Sequence, residues 1–199
     1  MTIRCPVCNR EVDALRALGA DEVIPEELET SIEIVARVMN LLHLPGNIVS
    51  TQIRLLRDET YRRLRRHWQF RNEHKLFDEI NDTRQFGVHV YGADRGFIMF
   101  VQAAWLYSPD TAIRSLVHDG SGEAPGIKDL NGRWDSSPHR DRIVRVDDSH
   151  LSGWAALIDE PGTPPDEARM LYPVNRASAE VLDKIAALPG FELAEGRFA

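Results

Sequence analysis

The chain has 199 residues, 43% hydrophobic and 28% charged, a balance that excludes a disordered polymer and supports a core without disulfide staples. Its net charge of −7 argues against nucleic acid as a partner. The two cysteines cannot build a disulfide framework, and no apolar run reaches bilayer length, since residues 97–106, the longest, already include Gln102. No charged-then-apolar leader opens the chain, so the expectation is a cytoplasmic protein that does not span a membrane.

In chain order, residues 2–7 read as a short strand and residues 11–18 as a helix closed by Gly19. Residues 21–24 form a further strand candidate. Pro25, Glu26 and Glu27 then place a proline and two carboxylates where a helix start favours them. Leu28, Ile32, Val35, Met39 and Leu42 recur at helical spacing, with Ile34, Val38 and Leu41 as a second stripe beside them. A helix apolar on two sides must be covered on two sides. Pro45-Gly46 breaks it, Asn47 is placed to cap the next helix, and residues 48–68 continue with Val49, Ile53, Leu56, Leu64 and Trp68 on one face. The two together make a long helical hairpin.

Beyond residue 75 the pattern turns to shorter elements. Residues 86–91 and 96–101 look like strands of a hairpin around Gly92-Ala93-Asp94-Arg95. Ser108-Pro109-Asp110 opens a helix to about Val117. Residues 119–141, rich in Gly, Ser, Pro and Asp, read as a long loop. Residues 142–146 and 151–158 are strand candidates, and residues 178–188 form a helix stopped by Pro189-Gly190. The expected fold class is α+β: a short βα remnant, the helical hairpin, then a small mixed or antiparallel sheet with two helices. The expected division is an arm over residues 1–70 and a small domain over 76–199.

The run EVDALRALGADEVIPEELETSIEIVARVMNLLHLP, continued by IRLLRDETYRRLR, resembles the distal part of the nucleotide-binding regulatory domain of Kef-type monovalent cation:proton antiporters and Trk-type potassium uptake regulators. The resemblance covers about residues 2–67. It implies the last βα unit of a Rossmann-like sheet, followed by a crossover helix, a turn and a second helix packed between two subunits. On that basis Leu28, Ile32, Val35, Val38, Met39, Leu42, Ile53 and Leu56 are expected at a homodimer interface, and a membrane cation transporter is the implied partner. The nucleotide site of that family needs a glycine-rich turn after its first strand. No G-x-G-x-x-G occurs in this chain, so no nucleotide-binding residue is carried over.

Three sets of residues have chemical potential of their own. Cys5-Pro-Val-Cys8 resembles half of a zinc knuckle, although zinc needs four ligands and no second C-x-x-C exists. A redox pair and two incidental cysteines are the other readings. Seven arginines and two acids over residues 54–71 could meet an anion or an acidic surface, or simply form a solvated face with pairs such as Asp58–Arg62 and Glu59–Arg63. His139, Asp141, Asp147, Asp148 and His150 combine imidazoles and carboxylates able to serve as acids, bases or metal ligands, while residues of these types also serve loops and turns. The leading expectation is a non-enzymatic regulatory or interaction protein that dimerises through the hairpin, with no cofactor. The alternatives are a small hydrolytic or metal-dependent enzyme with its site near residues 139–150, and a zinc-knuckle adaptor using Cys5 and Cys8.

Overall fold

A computed structural model describes residues 23–24, 38–39, 41–78, 82 and 84–188. The strand at 2–7, the helix at 11–18, most of the first hairpin helix, Cys5, Cys8, Leu28, Ile32 and Val35 lie outside the described residues. The fold is α+β. Five strands, β1 (Val23–Ile24), β2 (Leu64–Arg71), β3 (Gln85–Tyr91), β4 (Met99–Leu106) and β5 (Val144–Asp147), form one sheet in the order β1-β3-β2-β4-β5. The described helices are α1 (Gly46–Arg63), α2 (Pro109–Leu116), α3 (Asp148–Ile158) and α4 (Arg176–Ala186).

The second hairpin helix is shorter than its apolar spacing suggests. It begins at Gly46 with Pro45 in the capping position and no side-chain cap, so Asn47 lies inside the first turn instead of capping it. It ends at Arg63, where Arg65 Nη1 donates to the carbonyls of Arg62, Arg63 and Leu64 and meets groups that a helix end leaves open. The chain then becomes β2 without a loop. Trp68, which continues the helical spacing only by coincidence, points with Phe70 to one side of the sheet in the two-residue period of a strand.

The strands expected at 86–91 and 96–101 exist, with β4 shifted to Met99–Leu106, but they do not form a hairpin. β2 lies between them, antiparallel to β3 and parallel to β4. The link between β3 and β4 therefore steps across one strand, about 10 Å in all. A boundary between residues 70 and 76 falls just after β2, which pairs on both sides with strands of the second part. Residues 151–158, expected as a strand, belong to α3. Asp147 caps that helix, its carboxylate accepting from the backbone N–H groups of Ser149 and His150. The helix after Ser108 and the helix near 178–188 are present as α2 and α4, the latter closed at its start by a reciprocal Asn175–Ser178 capping box.

Each face of the sheet has its own core. Trp68, Phe70, Ala103 and Leu106 pack with Ala112 of α2 on one side. On the other, Leu64, Phe100, Val144 and Val146 pack with Tyr61 of α1, Leu151, Trp154 and Ala155 of α3 and Ala179 of α4. β4 carries an extra residue after Ala103, since Trp68 faces Ala103 while Phe70 faces Leu106. Trp105 sits in that bulge with φ of 57°, a left-handed conformation rarely adopted by a bulky residue.

Candidate functional site

The residues expected near 139–150 fall into two groups at opposite ends of β5, a strand about 10 Å long. At one end, the buried His139 caps the short turn Arg140–Arg142, its Nδ1 accepting from Asp141 N at 3.1 Å. Its own N–H donates to Ser115 Oγ at 3.1 Å, and its ring lies 4.8 Å from that of His118. Asp141 is 3.8 Å from the Arg176 guanidinium. At the other end, Asp147 is committed to capping α3 and to His150 Nδ1 at 2.8 Å. Burial pushes the Asp147 carboxyl up, but the hydrogen bonds from the His150 ring and from the backbone of His150 and Ser149 hold it below the usual carboxylate range. Asp148 is exposed, and His150 Nε2 lies 3.9 Å from Asp183 of α4. These groups do not converge on one cleft. Among the described residues no group of three or more His, Cys, Asp or Glu is placed to hold a metal ion.

Helix α1 has two faces. Val49, Arg57 and Tyr61 are buried and Ile53 half-buried, at intervals of four residues, against the segment 158–169. Tyr61 donates its hydroxyl to Ala168 O at 2.7 Å, and Arg57 reaches Glu167 O at 3.4 Å. A groove of about 490 Å³ runs between them with Ile53 and Ile158 among its walls. Ion pairs span it: Arg54 to Glu160 at 3.1 Å and to Glu167 at 3.5 Å, with Arg169 to Asp159 at 2.7 Å at its edge. Ile53, expected at a dimer interface, thus packs toward its own chain.

The opposite face is open, and it exposes apolar residues among the polar Thr51, Gln52, Glu59 and Arg63. Leu55 is 52% exposed, Ile48 42% and Leu56 39%, and just before the helix Leu41, Leu42 and Val38 are exposed as well. Met39 is half-buried. The arginines beside this face are largely spent on their own helix, Arg62 on Asp58 at 2.5 Å and Arg63 on Glu59 at 3.3 Å, as their spacing suggests. A smaller apolar patch, Ile113, Leu116 and Val117, lies at the end of α2.

Two buried polar groupings were not singled out from the sequence. Beneath residues 168–172, His89, His67 and Gln102 stand side by side on β3, β2 and β4. The two histidines are 1% and 2% exposed with their Nδ1 atoms 3.0 Å apart. Burial, and secondarily the charge of His89, holds the His67 imidazole well below its usual range, so it is neutral at physiological pH. Burial also pushes the Tyr91 hydroxyl, whose ring stacks on His89, up to about 12. The second grouping organises the long loop. Arg142, fully buried, donates to Ser137 O at 2.8 Å and Asp135 O at 2.7 Å and pairs with the Asp135 carboxylate at 3.5 Å. The glycine-rich turn at 118–122 uses its N–H groups on its own side chains, Gly120 on His118 and Ser121 on Asp119, and so terminates the preceding helix.

The chain matches no family model, no curated protein and no solved structure. Among the described residues no helix is long and apolar enough to cross a membrane.

Proposed function

We propose that the protein is a non-enzymatic regulatory or interaction protein, related to the regulatory domains of potassium and proton antiporters, that pairs two copies through α1 and the segment leading into it. The observation that carries this reading is the exposure of Ile48, Leu55 and Leu56 on α1, together with Val38, Leu41 and Leu42 in the segment before it. Covering a side chain of this size contributes about 1.5–3 kcal/mol. Association costs at least about 4 kcal/mol, so several of these residues must be covered together. A second copy offers the same surface and can meet it in a symmetric contact. The resemblance over residues 2–67 supports the same arrangement and supplies the class of larger partner, a membrane cation transporter.

The carboxylates and imidazoles near β5 support the non-enzymatic reading, because they cap helices and pair with one another at two separate places. Sedimentation equilibrium on the full chain tests the pairing. A mass twice that of the chain, falling toward one copy on dilution, is the expected result, and a single copy at every concentration contradicts it.

A further inference from the structure

We propose that the carboxyl end of the parallel strands β2 and β4 is a binding site for the carboxylate group of a small organic acid, received by Arg71, Tyr107 and Arg142. The inference does not rest on the pairing of two copies. It rests on where the fold puts three hydrogen-bond donors and on what it leaves them to do.

Arg71 is the last residue of β2, Tyr107 follows the last residue of β4, and Arg142 stands two residues before β5. β2 runs parallel to β4, and β5 returns antiparallel with Val144 opposite Gln102, so all three lie at one end of the sheet. Sheets with parallel strands bind ligands beyond the carboxyl ends of those strands. The bulge in β4 is at this end as well. Its left-handed residue, Trp105, lies under the Arg71 guanidinium, which is 4.8 Å from the centre of the ring. Bulges and strained backbone of this kind concentrate at sites that the fold has to shape.

Each of the three side chains keeps a buried polar atom with no hydrogen-bond partner among the described residues: Arg71 Nε, Tyr107 Oη and Arg142 Nη1. Tyr107 and Arg142 are completely buried. The rest of the Arg142 guanidinium is committed, Nε to Ser137 O at 2.8 Å and Nη2 to Asp135 O at 2.7 Å, which fixes the plane of the group and the direction of its remaining N–H bonds. Neither neighbouring carboxylate takes up the open donors. Glu73 stays 3.6 Å from Arg71 and Asp135 3.5 Å from Arg142, beyond hydrogen-bond contact, and Asp135 Oδ1 accepts from the backbone N–H of Ser137. Buried donors left unmet are costly, and an acceptor placed among them recovers that cost.

The charges decide which acceptor fits. Burial pushes the Tyr107 hydroxyl above its ordinary range, with Arg71 and Arg142 pulling it down and Glu73 and Asp135 pushing it up. Tyr107 is therefore a neutral O–H donor at physiological pH. Two fixed cations offset by two fixed anions leave no surplus of positive charge for a dianion. A carboxylate carries one charge and has lone pairs enough on its two oxygens to accept from both guanidinium groups and the phenol. Aromatic rings stand beside this polar centre, since the Tyr107 ring meets those of His74 at 5.7 Å and Trp134 at 5.2 Å. Trp134 is the movable wall. It is half-buried, the Lys128 ammonium lies 3.4 Å from its ring centre, and it belongs to a short hairpin whose tip, residues 130–133, is exposed. Displacing this side chain admits the ligand, while Arg142 holds the base of the hairpin through Gly126 O and Asp135 O.

The test is thermal unfolding of the full chain at pH 7.5 and constant ionic strength, with sodium acetate or inorganic phosphate replacing sodium chloride. Acetate is expected to raise the midpoint as a ligand of the folded form does, growing with concentration according to a single affinity. Phosphate is expected to add nothing beyond chloride. Tyr107→Phe removes one donor and keeps the ring. Its midpoint in chloride is expected to match that of the native chain, because the hydroxyl has no partner among the described residues to lose. Its affinity for acetate is expected to fall about tenfold, and that of Arg71→Gln by at least as much. No response to acetate, a larger response to phosphate, a lowered midpoint of Tyr107→Phe in chloride, or native affinity in either variant would each overturn the proposal. Should a variant fail to fold, side-chain NMR of the native chain decides. The Arg71 Nε–H signal is expected to move with acetate and to saturate, while that of Arg133, exposed and bonded to Asp129, stays in place. An Arg71 signal that moves no more than that of Arg133 overturns the proposal.

Discussion

Helices α1 and α3 pack on the same face of the sheet but use their apolar residues differently. α3 has a side-chain cap at its start and buries Leu151, Trp154, Ala155 and Leu157 within eleven residues. α1 has no side-chain cap, buries Val49, Arg57 and Tyr61 within eighteen residues, and turns Ile48, Leu55 and Leu56 outward. The contrast separates residues that stabilise this chain from residues left over after it has folded. α3 is consumed by the core. α1 is anchored by a narrow stripe, and its remaining apolar residues stay exposed, the surface proposed above for pairing.

Substitutions on the two helices should therefore have opposite signatures. The largest effect on folding is expected for Trp154→Ala, which opens a cavity in the core between α3 and the sheet and costs about 3–5 kcal/mol in denaturant unfolding. A cost below about 1 kcal/mol would mean that α3 is not the helix that fixes this face. Tyr61→Phe sharpens the comparison from the other side. It keeps the ring but removes the donor to the Ala168 carbonyl, and a loss of about 1–3 kcal/mol is expected. An unchanged midpoint would show that α1 is not anchored through this bond.

Asp147→Ala removes the α3 cap, with an expected cost of about 1 kcal/mol at neutral pH. Because the folded-state pKa of Asp147 is lowered, its contribution is complete above the ordinary carboxylate range and is lost as pH falls through the folded value. The stability gap between wild type and Asp147→Ala should thus narrow in acid, and a gap that stays constant would rule out the charged cap. The smallest effect on folding is expected for Ile48→Glu/Leu55→Glu. Surface changes of this kind shift stability by about 0.5 kcal/mol or less, and a loss of several kcal/mol would show that these side chains belong to the core of the chain.

The sequence made the α+β class readable, along with the helix after Ser108, the helix near 178–188 and the strand-forming character of residues 86–91. What it concealed has identifiable physical causes. Tyr61, Leu64 and Trp68 keep a helical rhythm across the junction where α1 becomes β2, so apolar spacing alone ran the helix four or five residues too far. The run over 151–158 is apolar on too many sides for its period to be read, and the informative signal was Asp147, a capping residue just before it. The β3–β4 pairing was misjudged because a turn sequence identifies a local reversal, whereas the insertion of β2 between the strands is decided by long-range pairing.

The polar row was hidden by the opposite effect. His67 falls within the stretch expected as a helix and His89 within the strand expected at 86–91, where a polar residue reads as an outward position, and only a sheet covered on both faces makes them interior. The order of Gly87 and His89, two residues apart on one strand face, is the one local sign that space was being kept for a ring. Asp147 and His150 looked like chemistry because the residue types that cap a helix are also those that move protons.

The most direct test of the central claim compares the two exposed apolar patches by light scattering after size exclusion over a concentration series. Ile48→Glu/Leu55→Glu alters the open face of α1, and Ile113→Glu/Leu116→Glu alters the smaller patch on α2. The account predicts a dimeric wild type, a dimeric α2 variant and a folded monomer for the α1 variant. A wild type that is monomeric throughout, or a dimer that survives the α1 substitutions and dissociates with those on α2, would contradict it.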